Sequence, residues 1–349
     1  MGLPNILIEF KAKASTAIKR GERGIVAVMV IDTPIGVTKI FSITDIPEGL
    51  TQANKDYISR AFLGGVNPIK SLVIIVTNNV AEGLKTAETV KFDYIALPPN
   101  ISAVDATTAA TFIKTLRDNK NIKVKAVLPN TKADHEGIIN FTTNDIKTQE
   151  KTFTAAEYCS RIAGLLAGTP LQQSSAYYVL PEVQDVPKFT KTELDTKIDE
   201  GEFVIFHDGE KVKVARGVNS LTTVNVNKSE DYKVIKIVDT MDLIYKDIKN
   251  TCEDNYIGKF PNNYDNKCNL VVSITAYLEG LRDDNILDQK ITTGINIKAQ
   301  KAYLKARGED VDNMDDKQIK EANTQNYVFI ESAYKILNAI EDIAVQFYI

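Results

Sequence analysis

The sequence has no tryptophan and only two histidines, His135 and His207, in 349 residues. Each histidine precedes an acid, Glu136 or Asp208. Such pairs are common by chance, and His207 adjoins the turn signal Asp208-Gly209, where a solvated hairpin histidine is the default. A hydrolytic triad also needs a placed nucleophile and an oxyanion hole, and no stretch announces either. The three cysteines, Cys159, Cys252 and Cys268, are far apart and odd in number. They fit free thiols in a reducing compartment better than a disulfide framework or a zinc site. Phosphate-loop (GxxxxGK[ST]), dinucleotide (GxGxxG) and nucleophile-elbow (GxSxG) patterns are missing. The paired acids Asp283-Asp284 and Asp315-Asp316 lack the spacing of a calcium loop. No apolar run approaches the roughly 18–20 residues a membrane span needs. The opening Met1-Gly2-Leu3-Pro4 lacks a signal-peptide pattern, and Ile6 breaks the myristoylation pattern. Net charge is −4, without the basic footprint of a nucleic-acid binder. No catalytic residue, cofactor or metal ligand is expected.

What is present is ordinary globular composition, 44% hydrophobic and 25% charged, with length for two or three domains. From residue 24 to about 170, buried-strand runs alternate with helical spacing. Gly24 to Ile31, Val37 to Ile43, Ser71 to Val76, Phe92 to Leu97 and Ile122 to Leu128 read as strands. Thr51 to Leu63, Val80 to Val90 and a segment from Asp105, taken as its cap, through Leu116 read as helices. That alternation implies crossover units and a largely parallel α/β sheet. Thr154 with Glu157 and Thr190 with Glu193 have capping-box spacing. Ala176 to Leu180 reads as a strand, and Phe203–Phe206 with Lys211–Ala215 as a hairpin. Residues 216–230, rich in Asn, Thr and Ser, suggest a domain boundary. The last third reads as α+β: a strand at Val234–Val238, helices near 240–256 and 265–282, and an irregular or extended 286–297. A helix near 300–307, a short polar helix from Asp315 to Ala322 and closing strands follow.

The two ends carry the strongest pattern. Ile343, Val345, Phe347 and Ile349 alternate with Asp342, Ala344, Gln346 and Tyr348, and upstream Val328, Ile330, Tyr334 and Ile336 form an earlier strand or pair of strands. Ile6, Ile8 and Phe10 alternate in a basic opening segment that includes Lys11, Lys13, Lys19 and Arg20. An apolar strand near a chain end either joins its own sheet or is donated to another molecule.

The runs Arg161–Val183 (RIAGLLAGTPLQQSSAYYVLPEV), Gly2–Ala27, Asn250–Leu281 and Ile336–Ile349 resemble the sheath subunit of contractile tails, found in myophages and R-type bacteriocins. The resemblance covers nearly the whole chain and is greatest to short, diffocin-type sheath proteins. It implies an outer α/β domain described as subtilisin-like, over residues 21–230, and an inner α+β domain facing the tail tube, over 231–335. It implies strand arms at 1–20 and 336–349 that complete sheets in neighbouring copies. Carried over, the arm residues are Ile6, Ile8 and Phe10 at one end and Ile343, Val345, Phe347 and Ile349 at the other. The helix bearing Asp315, Asp316, Lys317, Lys320 and Glu321 is a candidate for docking on the tube. The expected partners are further copies of the chain, the tube protein, and baseplate and terminator or collar proteins, with no nucleic acid and no membrane insertion. The expected setting is synthesis in a bacterial cytoplasm and release by lysis within a phage tail or a tail-like particle. An α/β enzyme, or a non-contractile filament or shell subunit, stays open as an alternative.

Overall fold

The computed structural model describes residues 17–21 and 23–348. The arm residues Ile6, Ile8, Phe10 and Ile349 lie outside them. The chain forms two compact units, a larger one spanning 23–243 and 338–348 and a smaller one spanning 17–21 and 244–337 among the described residues.

The larger unit is built on β1 (Ile25–Ile31), β2 (Gly36–Ile40), α1 (Gln52–Ala61), β3 (Ser71–Thr77), α2 (Val80–Glu88), β4 (Tyr94–Ala96), α3 (Ala103–Asp118), β5 (Lys125–Pro129) and β6 (Ile138–Phe141). Short β7 (Ile146–Thr148) and β8 (Thr152–Phe153) lead into α4 (Ala155–Ala167). Then come β9 (Val183–Asp185), α5 (Lys191–Asp199), β10 (Glu202–Phe203) and the hairpin β11 (Ile205–His207) and β12 (Val212–Val214). Seven strands form one sheet in the order β2-β3-β1-β4-β5-β6-β10. All pairings in it are parallel except that of β2 with β3.

Strand periodicity divides the core into two layers. Val26, Val28, Val30, Leu72, Ile74 and Val76 face α1 and α4, joining Tyr57, Ile58, Ile162 and Leu165. Ala27, Met29, Val73 and Ile75 face α2 and α3, joining Leu84, Ala110, Ile113 and Leu116. Both faces are covered, which is why the strands read as continuous apolar runs.

The polar side chains of α4 and its cap have structural partners. Thr154 and Glu157 form the expected capping box at the start of α4. Ser160 Oγ donates to the Tyr57 carbonyl at 2.6 Å. Arg161 is 1% exposed and spans from Glu182 Oε1 (2.5 Å) to the Gly64 carbonyl (2.6 Å). A Cβ on Gly164 would overlap the Ala61 carbonyl, so glycine is what lets α1 and α4 approach.

Several expectations need correction. Ser102, not Asp105, caps α3; its hydroxyl accepts from the Asp105 amide at 3.1 Å. Residues 176–180 make a single bridge, Val179 to Lys213, instead of a strand, because Tyr177 takes a left-handed conformation (φ 56°) that extended pairing does not allow. Val234–Val238 is not a strand: α6 begins at Ile235 and runs to Asn255. Buried Ile235, Val238, Asp239 and Asp242 recur there at helical spacing. Residues 216–230 do not separate the units. Val218, Asn219, Ser220 and Leu221 are buried within the larger unit, and the division falls between Leu243 and Ile244, inside α6.

The smaller unit holds α7 (Tyr264–Asp283), β13 (Thr292–Ile295), α8 (Ile297–Ala306), α9 (Asp316–Glu321) and β14 (Ile330–Ala333). Tyr277 of α7 donates to Asp247 Oδ2 at 2.7 Å, and the Gly21 amide donates to Asp247 Oδ1 at 2.8 Å. Leu304, Val311 and Ile319 make a small core that seats α9.

Candidate assembly surface

β13 and β14 pair antiparallel, Thr292 with Ala333 through Ile295 with Ile330. Asn296 N–H donates to the Phe329 carbonyl, and Asp288 N–H to the Lys335 carbonyl, both at 2.9 Å, so the pairing continues irregularly beyond the strands. Among the described residues no third strand joins this sheet. Two strands alone are marginal in water, and an unpaired edge is a template for another strand.

The closing segment supplies the complementary feature. After the bridge of Ile336 to Leu287 and the Leu337 amide bond to Ile286, the chain leaves the ladder. The expected strand at Ile343–Ile349 is not formed over its described residues. Ile343, Val345 and Phe347 are 77%, 64% and 85% exposed. An alternating apolar segment without a ladder partner has its backbone groups left for water or for another molecule.

The root of that segment is held within the larger unit. Arg216 Nε lies 3.0 Å from Glu341 Oε2, and its Nη2 lies 2.5 Å from Asp342 Oδ2. A groove of about 590 Å³ runs beside residues 338–342, lined also by Val218, Leu221, Glu230 and Lys233. Sequence reasoning passed over Arg216, because one arginine in a polar loop carries no pattern.

The structure places Asp315, Asp316, Lys317, Lys320 and Glu321 together on or beside α9. Asp315 caps it, in a reciprocal box with Gln318. Lys317 and Glu321 pair one turn apart at 3.9 Å, and Ile319 anchors the opposite face. Lys317 and Glu321 are exposed, and Lys320 is half-buried.

The histidines have local partners. His135 Nδ1 accepts from the Gly137 amide at 3.0 Å, which leaves Nε2 as the donor toward the Asp118 carboxylate at 3.3 Å. Burial pushes the His135 pKa down, against the opposing pull of Glu136. Asp118, His135 and Glu136 could each offer a ligand atom to a metal. Glu136, however, is held by Lys228 at 2.8 Å and faces Arg117 at 3.6 Å, so a further cation would meet two fixed positive charges. His207 Nδ1 accepts from the Gly209 amide at 3.0 Å, as a hairpin histidine does. Cys159 is buried, its thiol donating to the Ala155 carbonyl, and burial pushes its pKa up, the reverse of nucleophile activation.

A second feature the sequence reading missed is a buried charge cluster in the larger unit. Lys125 reaches Asp239 (3.0 Å) and Asp242 (2.5 Å). Arg117 grips Asp242 with two nitrogens at 2.8 and 2.9 Å. Tyr94 donates to Asp239 at 2.7 Å, and Arg23 also pairs with Asp239. Burial alone would raise the Asp242 pKa; Lys125 and Arg117 outweigh it and hold the carboxylate well below its usual range. The available signal was Lys125 inside an apolar strand run.

Comparison with known proteins bears on the whole chain. Residues 75–220 match the phage tail sheath protein central domain, and residues 227–349 the phage tail sheath C-terminal domain. The chain is 40% identical over 353 aligned positions to the tail sheath protein of Clostridium phage phiCD119, with 99% of each chain covered. Its fold is similar to the anti-feeding prophage helical sheath in the contracted state (TM-score 0.74, 14% identity, 100% and 99% of the two chains covered). It is also similar to a sheath tail protein of Desulfitobacterium hafniense (TM-score 0.70, 19% identity, 84% and 94% covered). At those identities the solved structures speak to the fold, while the matched domains and the phage relative establish the family: this chain belongs to the phage tail sheath proteins, the structural subunits of contractile tails.

Proposed function

We propose that the chain polymerises helically around a tail tube and contracts to drive the tube through a target cell envelope, each copy donating its terminal strands to neighbours. One observation carries this reading: an exposed, alternating apolar segment at Ile343–Phe347 in the same chain as a two-stranded sheet, β13–β14, that no third strand joins among the described residues. Such a contact is heterologous, and repeated without closure it builds a helical array. Because strands are shared, subunits can rotate and repack without separating, and linked contacts give avidity. The extended array is then a kinetically trapped state that a baseplate signal releases.

In this reading the larger unit is the outer, subtilisin-like domain, which its mostly parallel, helix-covered sheet supports, and the smaller unit faces the tube. The subunit acts by assembly rather than catalysis. The tube, baseplate and terminator or collar proteins are its partners, and the particle is released by lysis.

Removing residues 343–349 tests the central claim. The truncated chain folds with unchanged circular dichroism and melting but forms no tubes by negative-stain electron microscopy; normal tubes would overturn strand donation. The α9 assignment has its own test. Lys317→Glu with Lys320→Glu weakens assembly around the tube and costs the subunit only about 1 kcal/mol, since Lys317 is exposed and Lys320 half-buried. Unchanged assembly would remove α9 from the tube contact.

A further inference from the structure

We propose that Arg216 is the positioning residue for the carboxyl-terminal strand: it clamps Glu341 and Asp342 of its own chain, so that the donated segment departs from a fixed point on the larger unit. This rests on the reading of residues 343–348 as a donated strand.

The backbone of Arg216 is well fixed. It follows β12, whose neighbour Ala215 donates its amide to the Val204 carbonyl at 2.9 Å. Its own carbonyl accepts from Val218, and the next residue, Gly217, accepts from the Ile235 amide, both at 3.0 Å. The guanidinium therefore projects from a rigid base. Two of its nitrogens take two different carboxylates, Glu341 through Nε and Asp342 through Nη2. Glu341 is the inner partner, with its side chain 17% exposed against 87% for Asp342. The Glu341 charge also acts on Lys236, opposing the effect of burial on that lysine. A planar fork suits this task, because one ammonium cannot hold two carboxylates in fixed directions.

The purpose is direction more than stability. An exposed ion pair contributes little to folding. A tethered strand with a fixed root, however, loses less freedom on capture than one swinging from a free coil. Extended chain spans at most about 3.6 Å per residue, so Phe347, five residues beyond Asp342, lies within roughly 18 Å of the clamp. The accepting edge on a neighbour must fall inside that radius. The charges at 341 and 342 thus act as the stop that sets where free chain begins.

Charge reversal in the full-length chain tests the clamp. Arg216→Glu folds normally but raises the protein concentration needed for tube formation, read by pelleting and electron microscopy, roughly tenfold. Arg216→Gln, which removes the charge with less disturbance, shows a smaller rise and serves if the reversal misfolds. Combining Arg216→Glu with Glu341→Lys and Asp342→Lys recovers part of the lost threshold, because opposite charges face each other again without the two fixed directions of the guanidinium, and a merely structural arginine would allow no recovery. Mixing the single-site reversal with the Glu341→Lys, Asp342→Lys chain gives no rescue, because each copy's own clamp stays broken. Rescue on mixing would show a pair between copies and overturn the proposal, as would a wild-type threshold for Arg216→Glu. Assembly by the chain lacking 343–349 removes strand donation itself. Failure of that chain together with normal assembly of Arg216→Glu removes only the clamp.

Discussion

At Asp242 one carboxylate takes hydrogen bonds from three nitrogens inside the larger unit, two from Arg117 and one from Lys125. Its environment is costly to create and costlier to break, because removing one partner leaves buried charge uncompensated. Asp242→Asn is expected to destabilise the larger unit by about 3 kcal/mol, the low end of the usual range for a broken buried pair. Lys125 keeps Asp239 at 3.0 Å, and Arg117 keeps the Val124 carbonyl at 3.2 Å. The measurement is urea unfolding of wild type and variant. The pH dependence has a definite sign. The folded pKa is depressed, so the stabilisation is fully present above the unfolded value, about 3.9, and is lost as pH falls through the folded value. The gap between wild type and Asp242→Asn therefore holds from pH 7 to about pH 4 and closes only in stronger acid. A gap that closed between pH 7 and 5 would mean that another group carries the effect.

Elements differ in how openly the sequence declares them. The strand Ser71–Thr77 is buried on both faces, so seven consecutive residues had to be apolar or small, and the run was plain. The boxes at Thr154/Glu157 and Thr190/Glu193 were equally plain, since the side chains that satisfy the first amides sit at fixed spacing. The start of α6 was not. Val234-Ile235-Lys236-Ile237-Val238 fits a two-residue period, and the helix shows itself only when Asp239 and Asp242 count as members of the buried face. A pattern reader treats acids as surface; here they meet Lys125 and Arg117 in the core. β6, at Ile138–Phe141, escaped notice because it is four residues long and follows a loop turned by Asn130 and Asp134 in left-handed conformations. The start of α4 was written in its capping box, but the reason for Gly164 is visible only with Ala61 opposite it. The functional surface divides the same way. The apolar alternation at 343–347 was legible as a strand without a visible partner, whereas its seat at Arg216 is a contact between positions 125 residues or more apart in the chain.

For the whole molecule, the central question is which side of the closing segment is buried in an assembly. Strand geometry sends Ile343, Val345 and Phe347 to one face and Ala344, Gln346 and Tyr348 to the other. All three apolar residues of the first face are exposed in the free subunit, so changing them removes little from its own stability. In an assembly each buried side chain of that kind contributes about 1.5–3 kcal/mol, so three together supply at least as much as several ladder hydrogen bonds at about 1 kcal/mol each. Replacing Ile343, Val345 and Phe347 by serine is therefore expected to abolish tubes while the subunit melts as wild type. Replacing Ala344 and Gln346 by serine leaves the tubes intact. Loss of tubes in both variants would mean that the segment packs on both faces. Tubes in both would mean that backbone pairing, or another surface of the chain, holds the sheath together.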